Sequence, residues 1–251
     1  MTKSKYIVLD IDATLLHTHD IEEIDGKEID PIKKFEALNI YSDEDKIKLR
    51  KKLYILKIID VVRPSGHGEI TMLTGIYRPH LRVFLDYCRN YFEGIIIWSA
   101  GQKKYVEEVV KNMFPFKDFQ PLVIYHHDDC MISEEEDDIV VKKPLSKLFK
   151  DKRLKGKLNE KNTIAIDDRE DTFSLNNKNG IQIPIFESDM SIEDISEHED
   201  INLLKLMSWL ETKEVKNCED FRKIRKDKIF KRSLEDYNKQ LKSEKVKKNK
   251  N

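Results

Sequence analysis

The residues of this chain best suited to chemistry are Asp10, Asp12 and Thr14, in the stretch YIVLDIDATLLH from Tyr6 to His17. They alternate just beyond an apolar run, Tyr6 to Leu9. Successive side chains of a strand point to opposite faces, so residues two apart start on the same side. The pattern delivers two carboxylates to one side where a buried strand runs out, and ligands of open α/β sheets bind at that carboxyl end. Carboxylates held close repel one another, and folding them together calls for a cation or a shared proton. The chemistry implied is a divalent metal beside a carboxylate free to act as nucleophile or acid. Taken alone, the segment reads equally well as an acidic strand end entering a turn.

Two further apolar runs end in reactive groups. GIIIW (94–98) leads to Ser99, and TIAI (163–166) leads to Asp167 and Asp168. Between them VVKKPLSKL offers Lys142 and Lys143 as cations. Strands of one parallel sheet bring their carboxyl ends together, so these groups can converge. Such a cluster suits phosphoryl transfer, which needs positioning and positive charge more than covalent chemistry. Mg²⁺ on carboxylate oxygens supplies part of that charge, and a lysine supplies more. Ser99, at a strand end and about to start a helix, offers its hydroxyl and amide groups to phosphate oxygens. Asp10 can attack phosphorus to give an aspartyl-phosphate. Asp12 can protonate the leaving oxygen and then activate water.

Several elements must position these groups. Lys5–Leu9 reads as a buried first strand, and Gly94–Trp98 as a central parallel strand. His19–Ala37 is polar and aperiodic, an irregular insertion. Ser42–Lys52 opens with an N-cap serine and acids in its first turn, which predicts a short helix. Leu53–Val62 and Glu69–Ile76, around RPSGHG, read as a hairpin. Pro79 opens a helix whose Leu81, Phe84, Leu85 and Cys88 share a face. Lys103–Phe114 is helical through Tyr105, Val106, Val109, Val110 and Met113. Leu122–Tyr125 is a short strand, and Asp128–Val141 a hairpin with an acidic tip, Glu134 to Asp138. Leu145–Phe149 is a short helix, Ile181–Phe186 a last strand with Pro184 near an edge, and Ile201–Leu210 an amphipathic helix. Strands alternating with helices predict a parallel sheet covered on both faces.

Composition bounds the rest. Of 251 residues, 39% are hydrophobic, enough for a substantial core, and 37% are charged. The net charge of −1 hides an asymmetry: residues 211–251 carry fifteen Lys/Arg against eight Asp/Glu, leaving 31 against 39 elsewhere. Cys88, Cys130 and Cys218 are too scattered for a disulfide framework or a Cys-x-x-Cys zinc site. No apolar run approaches the length of a membrane span, and acids interrupt the N-terminal apolar stretch, unlike a secretory leader. An intracellular location, cytoplasmic or nuclear, is expected. His126, His127, Asp128, Asp129 and Cys130 have ligand chemistry, but neighbours on a strand point to opposite faces. In the basic tail, Phe230, Leu234, Tyr237 and Leu241 predict a helix that docks on the body or a partner. Ser243–Asn251 reads as disordered. Weak nucleic-acid contact through the tail's lysines ranks below a solvated tail.

The motifs stand in an order that resembles the haloacid-dehalogenase superfamily. More closely, they are similar to the RNA polymerase II C-terminal-domain phosphatases and their NLI-interacting-factor-like relatives. The residues that carry the resemblance are Asp10, Asp12, Thr14, Leu15 and His17, then Arg78–Pro79, then Ser99, Ala100, Lys104 and Tyr105, then Lys143 before Leu-Ser-x-Leu, then Asp167–Asp168. The resemblance implies an α/β fold: a haloacid-dehalogenase-like, Rossmannoid parallel sheet with helices on both faces. A small β-hairpin flap lies between the second and third motif strands. It places the phosphatase domain at 1–211, with an insertion at about 18–52 and an acidic flap at about 126–142. A basic, Lys-rich helical or disordered tail follows at 212–251. It makes Asp10 the nucleophile and Asp12 the acid/base. Mg²⁺ would sit on Asp10, the backbone carbonyl of Asp12, and Asp168. Lys143, steered by Asp167, would contact phosphate together with Ser99 and the adjoining Ala100. Tyr105 matches a substrate-groove position, and core packing explains it equally well. The implied substrate is a phosphoprotein, with the polymerase C-terminal domain foremost. The acidic flap reads first as a solvated charged loop.

Overall fold

Three runs without polar alternation, Tyr6–Leu9, Gly94–Trp98 and Thr163–Asp167, need cover on both faces, and they form the centre of a parallel sheet. The computed structural model describes residues 4–20, 23–24, 27–28, 42–60, 69–114, 118–135, 138–154, 156–197 and 199–248. Along the chain, β1 (Tyr6–Leu9), β2 (Leu16–Asp20), β3 (Glu23–Ile24) and β4 (Lys27–Glu28) precede α1 (Asp43–Arg50). Then come β5 (Leu53–Asp60), β6 (Glu69–Tyr77), α2 (Leu81–Tyr91), β7 (Gly94–Trp98), α3 (Lys103–Met113) and β8 (Val123–Tyr125). Next are β9 (Met131–Glu135), β10 (Asp138–Lys142), α4 (Leu145–Lys150), β11 (Thr163–Asp167) and β12 (Gly180–Gln182). The chain continues through α5 (Ile192–Glu197), α6 (Asn202–Leu210), α7 (Lys213–Lys216) and α8 (Leu234–Lys248).

The main sheet has the order β12-β11-β1-β7-β8, every pair parallel. The pleat sorts its side chains between two cores. Ile7, Leu9, Ile95, Ile97, Ile164 and Ile166 join a core with α2, α3 and α6. Tyr6, Val8, Ile96, Trp98 and Ala165 face the other way, against Leu145 and Leu148 of α4. Leu9 aligns with Ile166 and with Ile97, so β1, β11 and β7 end side by side.

A second sheet, β2-β6-β5, is antiparallel. The expected hairpin is present, and β2 adds a third strand that was not predicted, its end at His19–Asp20 running into the stretch read as irregular. Its sequence, LHTHD, shows no apolar alternation, because it is an edge strand held by its register with β6. The predicted turn RPSGHG, residues 29–41 of the predicted insertion and residues 136–137 of the acidic tip lie outside the described residues. The flap itself is the β9–β10 hairpin, with Glu135 opposite Asp138. The last strand stops at Gln182, two residues short of Pro184.

The folded body does not end at residue 211. Phe221, Ile224, Ile229 and Tyr237 are buried in the same core as the sheet, and α8 packs on α6. The predicted disorder from Ser243 is also corrected, since helix continues to Lys248.

Arg78, fully buried, ties the elements around the site together. Its Nε and Nη2 donate to Asp200 at 3.1 and 2.8 Å, its Nη1 to the Thr14 carbonyl at 2.8 Å, and its Nη2 also to the Pro184 carbonyl at 2.7 Å. Helix α2 starts at Leu81 rather than Pro79, after His80 in a left-handed conformation (φ 67°). Burial opposes ionisation of Asp200, but the hydrogen bonds and charge of Arg78 prevail and hold its pKa below the ordinary value. Stability from this pair is therefore complete above about pH 4 and is lost as pH falls through the lower native pKa. Arg78→Met leaves the Asp200 charge buried and unpaired, and is expected to cost about 3–5 kcal/mol in urea unfolding at pH 7. In Asp200→Asn, stability should vary less between pH 4 and pH 2 than in the parent chain.

Candidate active site

The turn after β1 separates Asp10 from Asp12. The Asp10 amide still bonds into the sheet, donating to the Ile166 carbonyl at 3.0 Å. The amides of Thr14, Leu15 and Leu16 then all close on the Ile11 carbonyl (3.3, 2.8 and 3.2 Å), with Ala13 left-handed at φ 55°. Ile11 and Leu15, both fully buried, anchor the turn. The two aspartates therefore diverge through a turn instead of sharing one face of a strand, and each meets different partners.

Asp10 meets Lys143. The Lys143 Nζ donates to Asp10 Oδ1 at 2.5 Å and to Asp167 Oδ2 at 2.7 Å, and all three side chains are buried. Lys143, not Lys142, is the lysine that reaches these acids. Its backbone amide is fixed on the Thr172 carbonyl at 2.5 Å. Asp167 Oδ1 accepts from the Arg169 amide at 3.0 Å. Thr14, buried, grips Asp168 twice: its Oγ1 donates to Asp168 Oδ1 at 3.1 Å and accepts from the Asp168 amide at 3.0 Å.

The charges here do not balance. Burial would lower the Lys143 pKa, but Asp10 and Asp167 outweigh it and hold the ammonium charged. Burial pushes the Asp10 carboxyl well up; Lys143 pulls it down, and Asp167 and Asp12 add to the rise. Burial and then Asp167 raise Asp168 as well. Oxygens of Asp10, Asp167 and Asp168 lie within 4.8 Å of one another, the one such group found among the described residues. Hard oxygen donors in excess of their counter-cation are the donor set that Mg²⁺ takes. The residues present fit that ion.

Asp12 faces the other way, toward β7 and the second sheet. Its Oδ2 is in long contact with Ser99 Oγ at 3.4 Å, and its Oδ1 accepts from the Tyr105 hydroxyl. Burial raises its pKa against those two contacts. Ser99 is buried, and its amide donates to the Tyr125 carbonyl at 3.1 Å. Helix α3 starts only at Lys103, so Ser99 brings its hydroxyl to the site and its amide stays in the sheet. Ala100 lies beside it, partly exposed. Tyr105 is partly exposed and turns its hydroxyl to Asp12. Thr18 and Tyr54, which sequence reasoning left out, continue this contact: Thr18 Oγ1 is 2.6 Å from both the Tyr105 and the Tyr54 hydroxyls. Their only sequence signal would have been the register of a polar edge strand.

His127–Asp129 forms a short 3₁₀ turn, not the expected strand. Asp129 is taken by Lys147 at 2.8 Å, and no third donor converges there among the described residues. Cys130 packs its sulfur near the Ser99 and His126 carbonyls.

Among solved structures, a fission yeast RNA polymerase II CTD phosphatase Fcp1 variant bound to beryllium fluoride is 22% identical, with a TM-score of 0.52 over 74% of this chain and 43% of that one. A second structure, of Fcp1 as an essential RNA polymerase II CTD phosphatase, is 19% identical, with a TM-score of 0.53 over 96% of this chain and 62% of that one. The chain thus spans about half the length of these relatives, and at such identities the likeness is one of fold, the haloacid-dehalogenase-like α/β arrangement the motifs implied. No curated protein matches the chain. The profile of the NLI interacting factor-like phosphatases matches residues 5–222, which takes in both halves of the site. The chain belongs to the NLI interacting factor-like phosphatase family.

Proposed function

We propose that this chain is a Mg²⁺-dependent phosphatase acting on phosphorylated serine or threonine side chains of a protein, through an aspartyl-phosphate on Asp10. The observation that carries this reading is the buried Lys143 ammonium held on Asp10 and Asp167 beside Asp168. A cation fixed against a carboxylate at the end of a parallel sheet suits a nucleophile that must meet a phosphate dianion. Mg²⁺ on Asp10, Asp168 and the Asp12 carbonyl would supply further positive charge to the phosphate oxygens.

The chain's own groups divide the work. Lys143, steered by Asp167, and the Ser99 hydroxyl hold phosphate oxygens. A carboxylate oxygen of Asp10 attacks phosphorus, the ester P–O bond breaks, and Asp12 gives its proton to the departing serine or threonine oxygen. Asp12, now a carboxylate, takes a proton from water as that water's oxygen attacks the same phosphorus. The P–O bond to Asp10 breaks, the Asp10 carboxylate is restored and inorganic phosphate leaves. Thr14 keeps Asp168 in place throughout.

A polymerase C-terminal-domain-like phosphopeptide is the proposed substrate, because both solved relatives are described as phosphatases of that domain. A nuclear or cytoplasmic location goes with it. Among the described residues, no helix is long and apolar enough to cross a membrane.

Activity toward an aryl phosphate should require Mg²⁺ and vanish in EDTA, and Asp10→Asn should lower kcat at least about 1,000-fold. An inactive parent chain with Mg²⁺ would end the phosphatase reading, and full activity in Asp10→Asn would end the role given to Asp10. Turnover of small phosphate esters with none of phosphoserine peptides would remove the protein substrate. Separately, Mg²⁺ at about 100 times its dissociation constant should stabilise the fold by about 2.7 kcal/mol, read as a rise in Tm that Asp168→Asn abolishes.

A further inference from the structure

The contacts behind Asp12 form a line of hydroxyls with one proton each. Tyr105 donates to Asp12 Oδ1, Thr18 Oγ1 lies 2.6 Å from the Tyr105 oxygen, and the Tyr54 oxygen lies 2.6 Å from Thr18. An ionised carboxylate only accepts, so the Tyr105 proton points at Asp12. The Thr18–Tyr105 contact must then use the Thr18 proton, and the Thr18–Tyr54 contact the Tyr54 proton. The Tyr54 hydroxyl also approaches the His17 carbonyl at 3.3 Å. That is long for an O–H donor, and the closer Thr18 oxygen takes the proton. The reversed line, starting from a proton on Asp12 Oδ1, would have to end on that long contact.

The second sheet is built to hold this line. Thr18 and Tyr54 both stand opposite Gly75, one on each side of β6. A Cβ on Gly75 would lie 2.3 Å from the Tyr54 ring and hydroxyl, so the ring crosses the glycine backbone to reach Thr18. A Cβ on Gly101 would lie 2.7 Å from the Tyr105 ring. Both tyrosines thus lie against bare backbone, with their hydroxyls meeting at Thr18.

We propose that Thr18 and Tyr54 are positioning residues for Asp12: through Tyr105 they occupy its Oδ1, so that Oδ2, beside Ser99, is the oxygen that carries the transferable proton. The proposal rests on Asp12 being the acid/base of the reaction. Its signature is dependence on the leaving group. Loss of a well-placed acid slows expulsion of an alkoxide and hardly affects a leaving group stable as an anion.

The experiment compares kcat/KM, which reads transfer to Asp10, for a phosphoserine peptide and for 2,4-dinitrophenyl phosphate, on the full chain with Mg²⁺. Thr18→Val and Tyr54→Phe, the latter removing a single oxygen, should each lower the phosphoserine value about tenfold. The dinitrophenyl value should fall less than about threefold. Thr18→Ser, which keeps the hydroxyl, should recover most of the phosphoserine rate. Asp12→Asn should show the same split between substrates, and a larger one. If Asp12→Asn shows the split while Thr18→Val and Tyr54→Phe lower both substrates alike, or neither, the positioning role is wrong and Asp12 keeps its own. If Asp12→Asn shows no split, the acid/base reading falls and the positioning role with it.

Discussion

The buried ammonium of Lys143 and the carboxylates of Asp10 and Asp167 make up the contact on which the site's geometry depends. Each charge costs several kcal/mol to take out of water, and only close pairing offsets that. The three groups come from three places: the end of β1, the end of β11, and the junction of β10 with α4. They meet only because Leu9 stands opposite Ile166, which sets Asp10 beside Asp167, and because the Thr172 carbonyl fixes the Lys143 backbone. A slip of one residue in that register would turn one acid away and leave a buried charge without its partner.

Around that contact the site divides into two chemically distinct halves. On the β11 side lie Asp10, Asp167, Asp168, Lys143 and Thr14, where charge dominates and hard oxygens converge. On the β7 side lie Asp12, Ser99, Tyr105, Thr18 and Tyr54, where neutral hydroxyls surround one carboxylate. The turn at Ile11–Leu15 separates the halves, and Arg78 locks that turn through the Thr14 carbonyl. Two aspartates two residues apart therefore have different partners, one an ammonium and the other hydroxyls. That is the condition for giving them different tasks.

Much of the charged half was legible in the sequence, because buried parallel strands leave continuous apolar runs and the acids follow directly. The chain itself put Asp10, Asp167 and Asp168 at those ends, and the spacing around VVKKPLSKL narrowed the cation to two lysines. The hydroxyl half was far less legible. Thr18 sits in LHTHD, whose polarity hid an edge strand, and Tyr54 reaches the site only across Gly75, a contact made by register between strands distant in sequence. Ser99 was expected beside the acids, and its hydroxyl lies near Asp12, but its amide was misassigned, since the start of α3 depends on a turn that periodicity does not report. The boundary at 211 misled for another reason. The residues beyond it are rich in lysine, while the few apolar ones, Phe221, Ile224, Ile229 and Tyr237, complete the core.

The same acids that make the charged half legible also set its electrostatics. Among the described residues, the Lys143 ammonium pairs with Asp10 and Asp167 and the Arg169 charge acts on Asp167 and Asp168, in a body whose residues outside 211–251 carry 39 acids against 31 Lys/Arg. A phosphate dianion approaching this site meets repulsion from every carboxylate that is ionised, and burial weakens the screening that water would give. The Lys143 charge is shared between Asp10 and Asp167. On the proposed reading, a divalent cation held by these oxygens would change the sign of the local field and favour the approach of an anionic substrate. The acids that would hold the metal are the same ones that would otherwise repel the substrate. On that reading, metal occupancy and substrate affinity would be coupled through one set of oxygens.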